Sequence, residues 1–288
     1  MPDHDGDYEV SGNGREGVYL FGFARANALR GVEGSRCDDE APLVEWVFQD
    51  VAVVFRMVAL DEWTGESSEK NLQDLTWVGP RACVHEKVVE QIMASSPVLP
   101  ARFATLFSSL GNLAQLVVSH YSVISAFLDS VVGKEEWAVK MLLDRARAEE
   151  HLLVSASSSQ SREAGASPGR IYLREQRLRG EIRKKLDSWV TTITHQIAGE
   201  LDAHVVASRS LKSLARNASG RDKEMTFNWA FLLRRDRRDQ FHTCLNEIAA
   251  QFAGQGVFLD ASGPWPPYSF CPSLDRDSPS AREAGAPS

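Results

Sequence analysis

Few residues of this 288-residue chain combine a reactive type with a useful spacing. Two pairs come closest: Cys83 precedes His85 by two residues, and His242 precedes Cys244 by two. Each pair could supply two ligands to a metal ion. Structural zinc sites take four ligands at recognisable spacing, and these two pairs lie far apart in the chain. The spacing therefore favours ordinary helix positions, and we predict neither a metal site nor a cofactor.

The adjacent carboxylates Glu135 and Glu136 precede Trp137, with Lys140 in the same predicted strand. Acid–base chemistry would require a cleft and a shifted pKa, so the pattern favours a solvated charge pair at a strand end. Arg102 could bind a carboxylate through both arms of its guanidinium, although a structural salt bridge is favoured. The chain also contains no P-loop motif, and we predict a non-enzymatic protein.

Two basic clusters lie near the starts of predicted helices. The first contains Arg170, Arg174, Arg177, Arg179, Arg183, Lys184 and Lys185, and the second contains Arg234, Arg235, Arg237 and Arg238. Acidic residues alternate with both clusters, which favours solvated helix faces with i,i+4 pairs. An acidic protein partner and nucleic acid are the alternatives. The net charge of −7 and the lack of interleaved aromatic residues argue against nucleic acid.

Near the end of the chain lies the sequence GPWPPYSF, residues 263–270, which we call the strap. Its three prolines remove three backbone donors, so we predict neither strand nor helix there. Its aromatic residues are too apolar for a free tail, so the strap must lie against its own domain or a partner. A staple across its own domain is favoured, and a partner contact is the alternative. The candidate partner-binding residues are Trp265, Pro266, Pro267, Tyr268 and Phe270, together with Arg234 and Arg235.

The hydrophobic pattern supplies the elements that would position these residues. It predicts strands at 17–24, 44–48, 51–60, 98–103, 136–143, 223–234 and 257–261, with a further short strand at 203–208. It predicts helices at 82–94, 110–131, 171–201 and 235–253, and a polar connection at 61–74. The irregular alternation of predicted strands and helices indicates an α+β fold with two small sheets, each covered by helices. It also suggests a weak symmetry between the two halves.

Composition divides the chain into segments: a disordered leader (1–16), an N-terminal α+β domain (17–150), a Ser/Gly-rich linker or loop (151–169), a C-terminal α/β domain ending in the strap (170–271) and a disordered tail (272–288). No run approaches the roughly 18 apolar residues of a membrane span. The N-terminus lacks the basic and apolar regions of a secretory signal. The four scattered cysteines are typical of reduced cytoplasmic thiols.

Six segments, taken in order, resemble the gas vesicle protein F/L family. They are VYLFGF, LPARFAT, Glu136-Trp137 with Lys140, Pro168-Gly169 with Tyr172-Leu173, NWAFL and GPWPPYSF. The family-motif residues to which the resemblance gives a structural role are Arg102, Phe103, Trp137, Lys140, Asn228, Phe231 and Gly263. Ala104 stands where the family has glycine. If the turn requires a positive φ, we expect the loop here to bend differently.

The resemblance implies two domains, an N-terminal ferredoxin-like sheet with helices and a smaller α/β C-terminal domain. It also implies an accessory or minor structural protein of gas vesicle assembly, located in the cytoplasm and on the vesicle. The implied partners are the apolar major shell protein and other gas vesicle accessory proteins, rather than nucleic acid or membrane. Retention on the gas-facing wall belongs to the same expectation. A nucleic-acid-binding or regulatory module, and an enzyme with a site between the domains, are the alternatives.

Overall fold

The computed structural model describes residues 15–28, 41–64, 66–158, 168–211 and 224–274. The chain divides into two compact units. The first comprises residues 1–132 with 271–288, and the second comprises residues 133–270. The expected leader and tail fall largely outside the described residues, although Glu16 already belongs to a strand.

The first unit contains strands β1 (Glu16–Arg25), β2 (Val44–Phe48), β3 (Val51–Ala59), β4 (Val98–Pro100) and β5 (Leu106–Phe107), and helices α1 (Glu66–Gln73), α2 (Leu75–Ser95) and α3 (Leu110–Ser130). The strands form an antiparallel sheet of order β2-β3-β1-β4, with β5 also paired to β1. Strand β1 is buried along almost its whole length and β3 over its first six residues, as their apolar runs predict.

Three details of this unit differ from the sequence predictions. The connection predicted as polar at 61–74 contains α1. Helix α2 begins well before residue 82, because the Asp74 side chain caps its first turn by accepting a hydrogen bond from the Thr76 N–H at 2.8 Å. The strand predicted at 98–103 ends at Pro100, where the chain turns and the Thr105 N–H donates to the Arg102 carbonyl at 3.1 Å.

The second unit contains β6 (Lys134–Leu143), α4 (Arg145–Ser158), α5 (Pro168–Asp202), β7 (Ala207–Ser210), β8 (Glu224–Arg234), α6 (Arg238–Phe252) and β9 (Val257–Trp265). Its antiparallel sheet has the order β7-β8-β6-β9. One face of the sheet packs against α5 and α6, and residues such as Phe231, Phe241 and Ile197 are fully buried there.

The unit boundary differs from the one expected within 151–169. Strand β6, expected in the N-terminal domain, is a central strand of the second sheet and so belongs to the second unit. Residues 151–158 are helical rather than a loop, because α4 runs beside α5 and buries Ala148. Ion pairs from Arg145 to Asp187 and from Arg183 to Glu149 join the two helices. Residues 159–167 lie outside the described part.

Both sheets have the same antiparallel arrangement. In each, the spatial order is second, third, first and fourth strand, which is the order of a ferredoxin-like sheet. Helices lie between the third and fourth strands of both units, and α4 with α5 connects the first two strands of the second. The fold is therefore α+β, and the symmetry suggested by the sequence is present in the strand order of both units.

None of the helices that the structure describes combines the length and apolar character needed to cross a bilayer.

Candidate functional site

The strap continues β9 through Trp265, so the prediction that it contains no strand is wrong. Two features make the strand possible. Strand β9 is an edge strand, and its pairing with β6 shifts register between Glu136 and Ala138. A bulge at an edge tolerates Pro264, because no ladder hydrogen bond is required there. Gly263 has φ 148°, and a Cβ at this position would lie 2.9 Å from the Glu136 carbonyl oxygen.

Beyond Trp265 the strap crosses one face of its own sheet. Pro266 and Pro267 are buried. Ser269 donates to the Glu136 carboxylate of β6 through its N–H at 2.9 Å and its hydroxyl at 2.6 Å. On β7, at the far edge of the sheet, Arg209 donates to the Ser269 carbonyl at 2.8 Å. The contacts of Ser269 with β6 and β7 are those of a staple within the second unit.

The same crossing brings Phe270 to β7. The Arg209 guanidinium lies 5.4 Å from the centroid of the half-buried Phe270 ring. A cation over an aromatic face at this distance is stabilising. Tyr268 is also half-buried, at the start of the short 3₁₀ turn that ends with Phe270. Most of the strap is thus engaged with its own unit.

Glu136 holds the middle of the strap and is only 5% exposed. Burial raises the pKa of the Glu136 carboxyl, and the hydrogen bonds from Ser269 and the charge of Arg209 offset part of that rise. A glutamine could keep both contacts, because its oxygen can accept from the Ser269 N–H and its amide can donate to the Ser269 hydroxyl.

This raised pKa predicts a pH dependence that the Glu136→Gln variant removes. Between the ordinary pKa of 4.5 and the raised value, the folded state binds more protons than the unfolded state, so the free energy of unfolding falls as pH rises through this window. We therefore expect Glu136→Gln to gain stability relative to the unmodified chain as pH rises above about 4.5. Urea unfolding at a series of pH values measures the difference. Asp260→Asn is the control, because Asp260 is an exposed carboxylate of β9. A stability difference between Glu136→Gln and the unmodified chain that stays constant with pH would contradict the prediction.

Glu135 projects from the opposite face of β6 and is 1% exposed. Arg238 donates to both of its oxygens, at 2.7 and 2.6 Å, and Trp137 Nε1 donates at 2.9 Å. Burial alone would raise the pKa of this carboxyl, but the hydrogen bonds from Arg238 and Trp137 and the charge of Arg235 hold it below its usual range. The sequence prediction of a solvated pair at Glu135 and Glu136 is therefore wrong. Because successive side chains of a strand point to opposite faces, the two carboxylates lie in different buried surroundings.

The structure brings Trp265, Arg234 and Arg235 to one end of the second sheet, which we call the sheet end. Arg234 pairs in register with Lys134 at the start of β6, and Trp265 pairs with Glu136 two residues along. Strand spacing places β8 and β9 roughly 10 Å apart across β6. Trp265 is 38% exposed, and its Nε1 donates to Ser262 Oγ at 3.2 Å.

Both arginines of the sheet end are exposed. Arg234 is 62% exposed and forms an ion pair of 2.6 Å with Asp236, while Arg235 is 46% exposed and lies 3.9 Å from Glu135. Val206, immediately before β7, adds an exposed apolar side chain. The sheet end thus presents one aromatic ring and an aliphatic side chain beside cationic groups.

The other motif residues of the second unit form pairs across β6 and β8. Trp137 is opposite Phe231 on the core face, and Lys140 is opposite Asn228 on the other face. Phe231 is fully buried. The ring centroid of His242 lies 4.3 Å from that of Trp137. His242 therefore packs against the core rather than serving as a metal ligand. No group of three or more metal-binding side chains exists among the described residues.

In the first unit, Phe103 packs edge-on against His85 with ring centroids 6.0 Å apart. Its neighbour Arg102 is exposed and forms no ion pair within the described part of the chain, so the expected salt bridge is absent there. Ala104 adopts φ 62°. Alanine therefore reaches a positive φ at this position without glycine, so its presence does not by itself require the loop to bend differently.

His85 is buried at the centre of this loop's contacts. Its Nε2 lies 3.0 Å from the Ala101 carbonyl oxygen, which can only accept, so Nε2 donates. Nδ1 then accepts from the Tyr19 hydroxyl at 2.9 Å, and that hydroxyl accepts from the Ala104 N–H at 3.2 Å. Burial lowers the pKa of the imidazole. Cys83 is exposed while His85 is buried, so this pair does not form half of a metal site.

The first basic cluster lies on α5. The side chains of Arg170 and Arg174 lie outside the described part, and the described members are exposed: Arg177, Arg179, Arg183, Lys184 and Lys185. The buried residues Ile182 and Leu186 occupy the opposite stripe. This is the arrangement of a solvated face on an amphipathic helix, the interpretation favoured by the sequence.

Comparison with known proteins gives consistent results. The family described as "Gas vesicle synthesis protein GvpL/GvpF" matches residues 17–272. Gas vesicle protein L of a Streptomyces species is 26% identical over 239 residues, covering 82% of this chain and 85% of that protein. Gas vesicle protein L2 of Halobacterium salinarum is 24% identical over 222 residues, covering 74% and 78%.

Two crystal structures share the fold. Gas vesicle protein GvpF from Anabaena aligns with a TM-score of 0.64 at 18% identity, covering 90% of this chain and 97% of that one. GvpF from Microcystis aeruginosa aligns with a TM-score of 0.62 at 18% identity, covering 89% and 99%.

Proposed function

Since this chain belongs to the gas vesicle synthesis protein GvpL/GvpF family and so has a role in gas vesicle assembly, we propose that it binds the apolar major shell protein as a non-enzymatic accessory protein. An apolar subunit exposes a large hydrophobic surface before it assembles, and such surfaces aggregate. A partner that covers this surface until the subunit joins the wall would prevent aggregation. The proposal includes contacts with other accessory proteins, retention on the gas-facing wall and a cytoplasmic site of action.

The observation that carries the proposed interface is the exposed Trp265 at the sheet end, beside Arg234 and Arg235. Tryptophan and arginine are the residues most often responsible for binding energy at protein interfaces. Pro266 and Pro267 are buried in their own unit, so they support the position of Trp265 rather than contact a partner directly.

The non-enzymatic assignment is supported by the bonding of the groups that could do chemistry. Glu135 is neutralised by Arg238, and Glu136 accepts two hydrogen bonds from the strap. Both nitrogens of His85 are engaged. These three candidates for a general acid or base are thus committed to structural contacts.

Co-expression of this chain with the major shell protein, followed by affinity capture, tests the proposal. We expect the intact chain to capture and solubilise the shell protein. Trp265→Ala should weaken capture at least tenfold, because loss of a central aromatic anchor costs about 2 kcal/mol or more. Tyr172→Ala is the matched control, since Tyr172 is an aromatic residue of α5 with 61% exposure.

Circular dichroism establishes that each variant folds. If the folded Trp265→Ala variant captures the shell protein as well as the intact chain does, the strap acts only as a staple. Failure of the intact chain to capture a well-expressed shell protein would overturn the accessory-protein proposal. Changing Arg234 and Arg235 together to alanine then tests whether the cations contribute, through a reduced dependence of capture on salt.

A further inference from the structure

The first unit contains an open cavity of about 330 Å³ that the proposed function does not use. It lies between β1, β3 and α2, and its principal lining residues are Tyr19, Phe21, Arg56, Trp63, Arg81 and His85. A volume near 300 Å³ is at the lower end of the range for ligand sites.

Aromatic rings line one wall of this cavity and pack against one another. Tyr19 contacts Trp63 with ring centroids 5.1 Å apart, and Phe21 stacks on His85 at 5.5 Å. The polar atoms of Tyr19 and His85 are already hydrogen-bonded to each other and to the loop at residues 101–104. This wall therefore offers an apolar aromatic surface rather than a reactive group.

Two arginines give the cavity its charge. Arg56 is 6% exposed, and its guanidinium lies 5.5 Å from the Phe21 ring centroid. The Arg81 guanidinium stacks 4.1 Å from the Trp77 ring centroid and donates to the Trp77 carbonyl at 3.3 Å. Among the described lining residues the acidic one is Glu62, whose carboxylate is 3.4 Å from Arg81 and 57% exposed. The described lining residues thus have a positive charge balance, in a chain whose net charge is −7.

We propose that this cavity binds the C-terminal residue of an apolar peptide, with the side chain against the aromatic wall and the free carboxylate on Arg81. A terminal residue carries its apolar side chain and its carboxylate together, which suits a cavity with room for about one residue. Stacking on Trp77 fixes the plane of the Arg81 guanidinium, and a guanidinium held in one plane binds a carboxylate through two parallel hydrogen bonds.

The present neighbour of Arg81 supports this assignment. The distance of 3.4 Å to Glu62 is long for a charge-assisted hydrogen bond, and the Glu62 side chain is mostly solvated. An incoming carboxylate could therefore replace Glu62 at little cost. Glu62 acts as a competing anion, so its removal should strengthen binding.

Isothermal titration of the full chain with N-acetyl-Leu-Phe, as the free acid and as the C-terminal amide, tests the proposal. We expect the acid to bind at least tenfold more tightly than the amide. Arg81→Gln should abolish this preference, whereas Glu62→Gln should strengthen binding of the acid. Arg102→Gln, an exposed arginine of the same unit without an ion pair among the described residues, is the control and should change nothing.

A further probe, N-acetyl-Asp-Leu amide, carries its carboxylate on a side chain. Binding as tight as that of the free acid would overturn the assignment to a terminal carboxylate. Equal binding of the acid and the amide would overturn the role of Arg81, and no saturable binding of either at millimolar concentration would overturn the site itself. The residues lining the cavity belong to the first unit and Trp265 belongs to the second, so Trp265→Ala should leave peptide binding intact.

Discussion

Replacing Arg238 by alanine should lower the free energy of unfolding by about 3 kcal/mol, because it leaves a buried carboxylate without its bidentate partner. The Glu135 side chain is 2% exposed, and Arg238 donates to both of its oxygens. After the change, Glu135 keeps only the Trp137 N–H and the more distant charge of Arg235, at 3.9 Å. These contacts do not replace two charge-assisted hydrogen bonds in a buried site.

Hydrogen exchange at the amides of β6 and β8, combined with urea unfolding, isolates the effect on the second unit. Arg237→Ala is the matched control, since Arg237 belongs to the same cluster but donates to the exposed side chain of Gln240 at 2.7 Å. Its effect should stay within about 0.5 kcal/mol. Equal costs for the two variants would show that the Glu135–Arg238 pair contributes no special stability.

Replacing Phe231 by alanine should lower the free energy of unfolding by about 3 to 5 kcal/mol, because it opens a cavity in the core of the second unit. Phe231 is fully buried on β8, with ring centroids 5.7 Å from Phe241 and 6.1 Å from Trp229. Helix α6 supplies Phe241 and β8 supplies Trp229, so the lost ring touches both layers of the unit.

The same unfolding and exchange measurements check this prediction. Phe231→Leu keeps most of the volume and should cost well under half as much as alanine. Tyr172→Ala removes an aromatic ring that is 61% exposed and should change stability by less than about 0.5 kcal/mol. If Phe231→Ala and Tyr172→Ala cost the same, the assignment of Phe231 as a core residue of the family motif would fail.

Most strands and the longest helices were predictable from local sequence. The apolar run at 51–60 became β3, and the helical spacing at 110–131 became α3 with a Ser109 cap. Such patterns are visible because burial of one face repeats with the period of the element itself. Helix α1 was missed because its sequence, ESSEKNLQ, has only one large apolar residue and so no apolar stripe.

The unit boundary was harder to predict, because composition does not report strand pairing. The Ser-rich stretch near 151–169 suggested a linker, whereas β6 pairs with β8 and β9 and so joins the second sheet. The strap shows the same limit. Its prolines lack backbone N–H donors, which argues against a strand. Whether a residue needs that donor depends on its pairing with the neighbouring strand, and at a bulge in an edge strand the donor is not needed.

The sequence by itself determined the α+β class, the apolar faces of the main elements and the family, because these depend on the order of residue types. Only the tertiary structure decided which of those residues meet. Glu135 and Glu136 are identical neighbours, yet one is held by Arg238 and the other by Ser269, so their pKa values shift in opposite directions. Trp265 and Arg234 are far apart in the chain and share one end of a sheet solely because β8 and β9 both flank β6. Charge environment and proximity arise from strand pairing between distant segments, which no local pattern encodes.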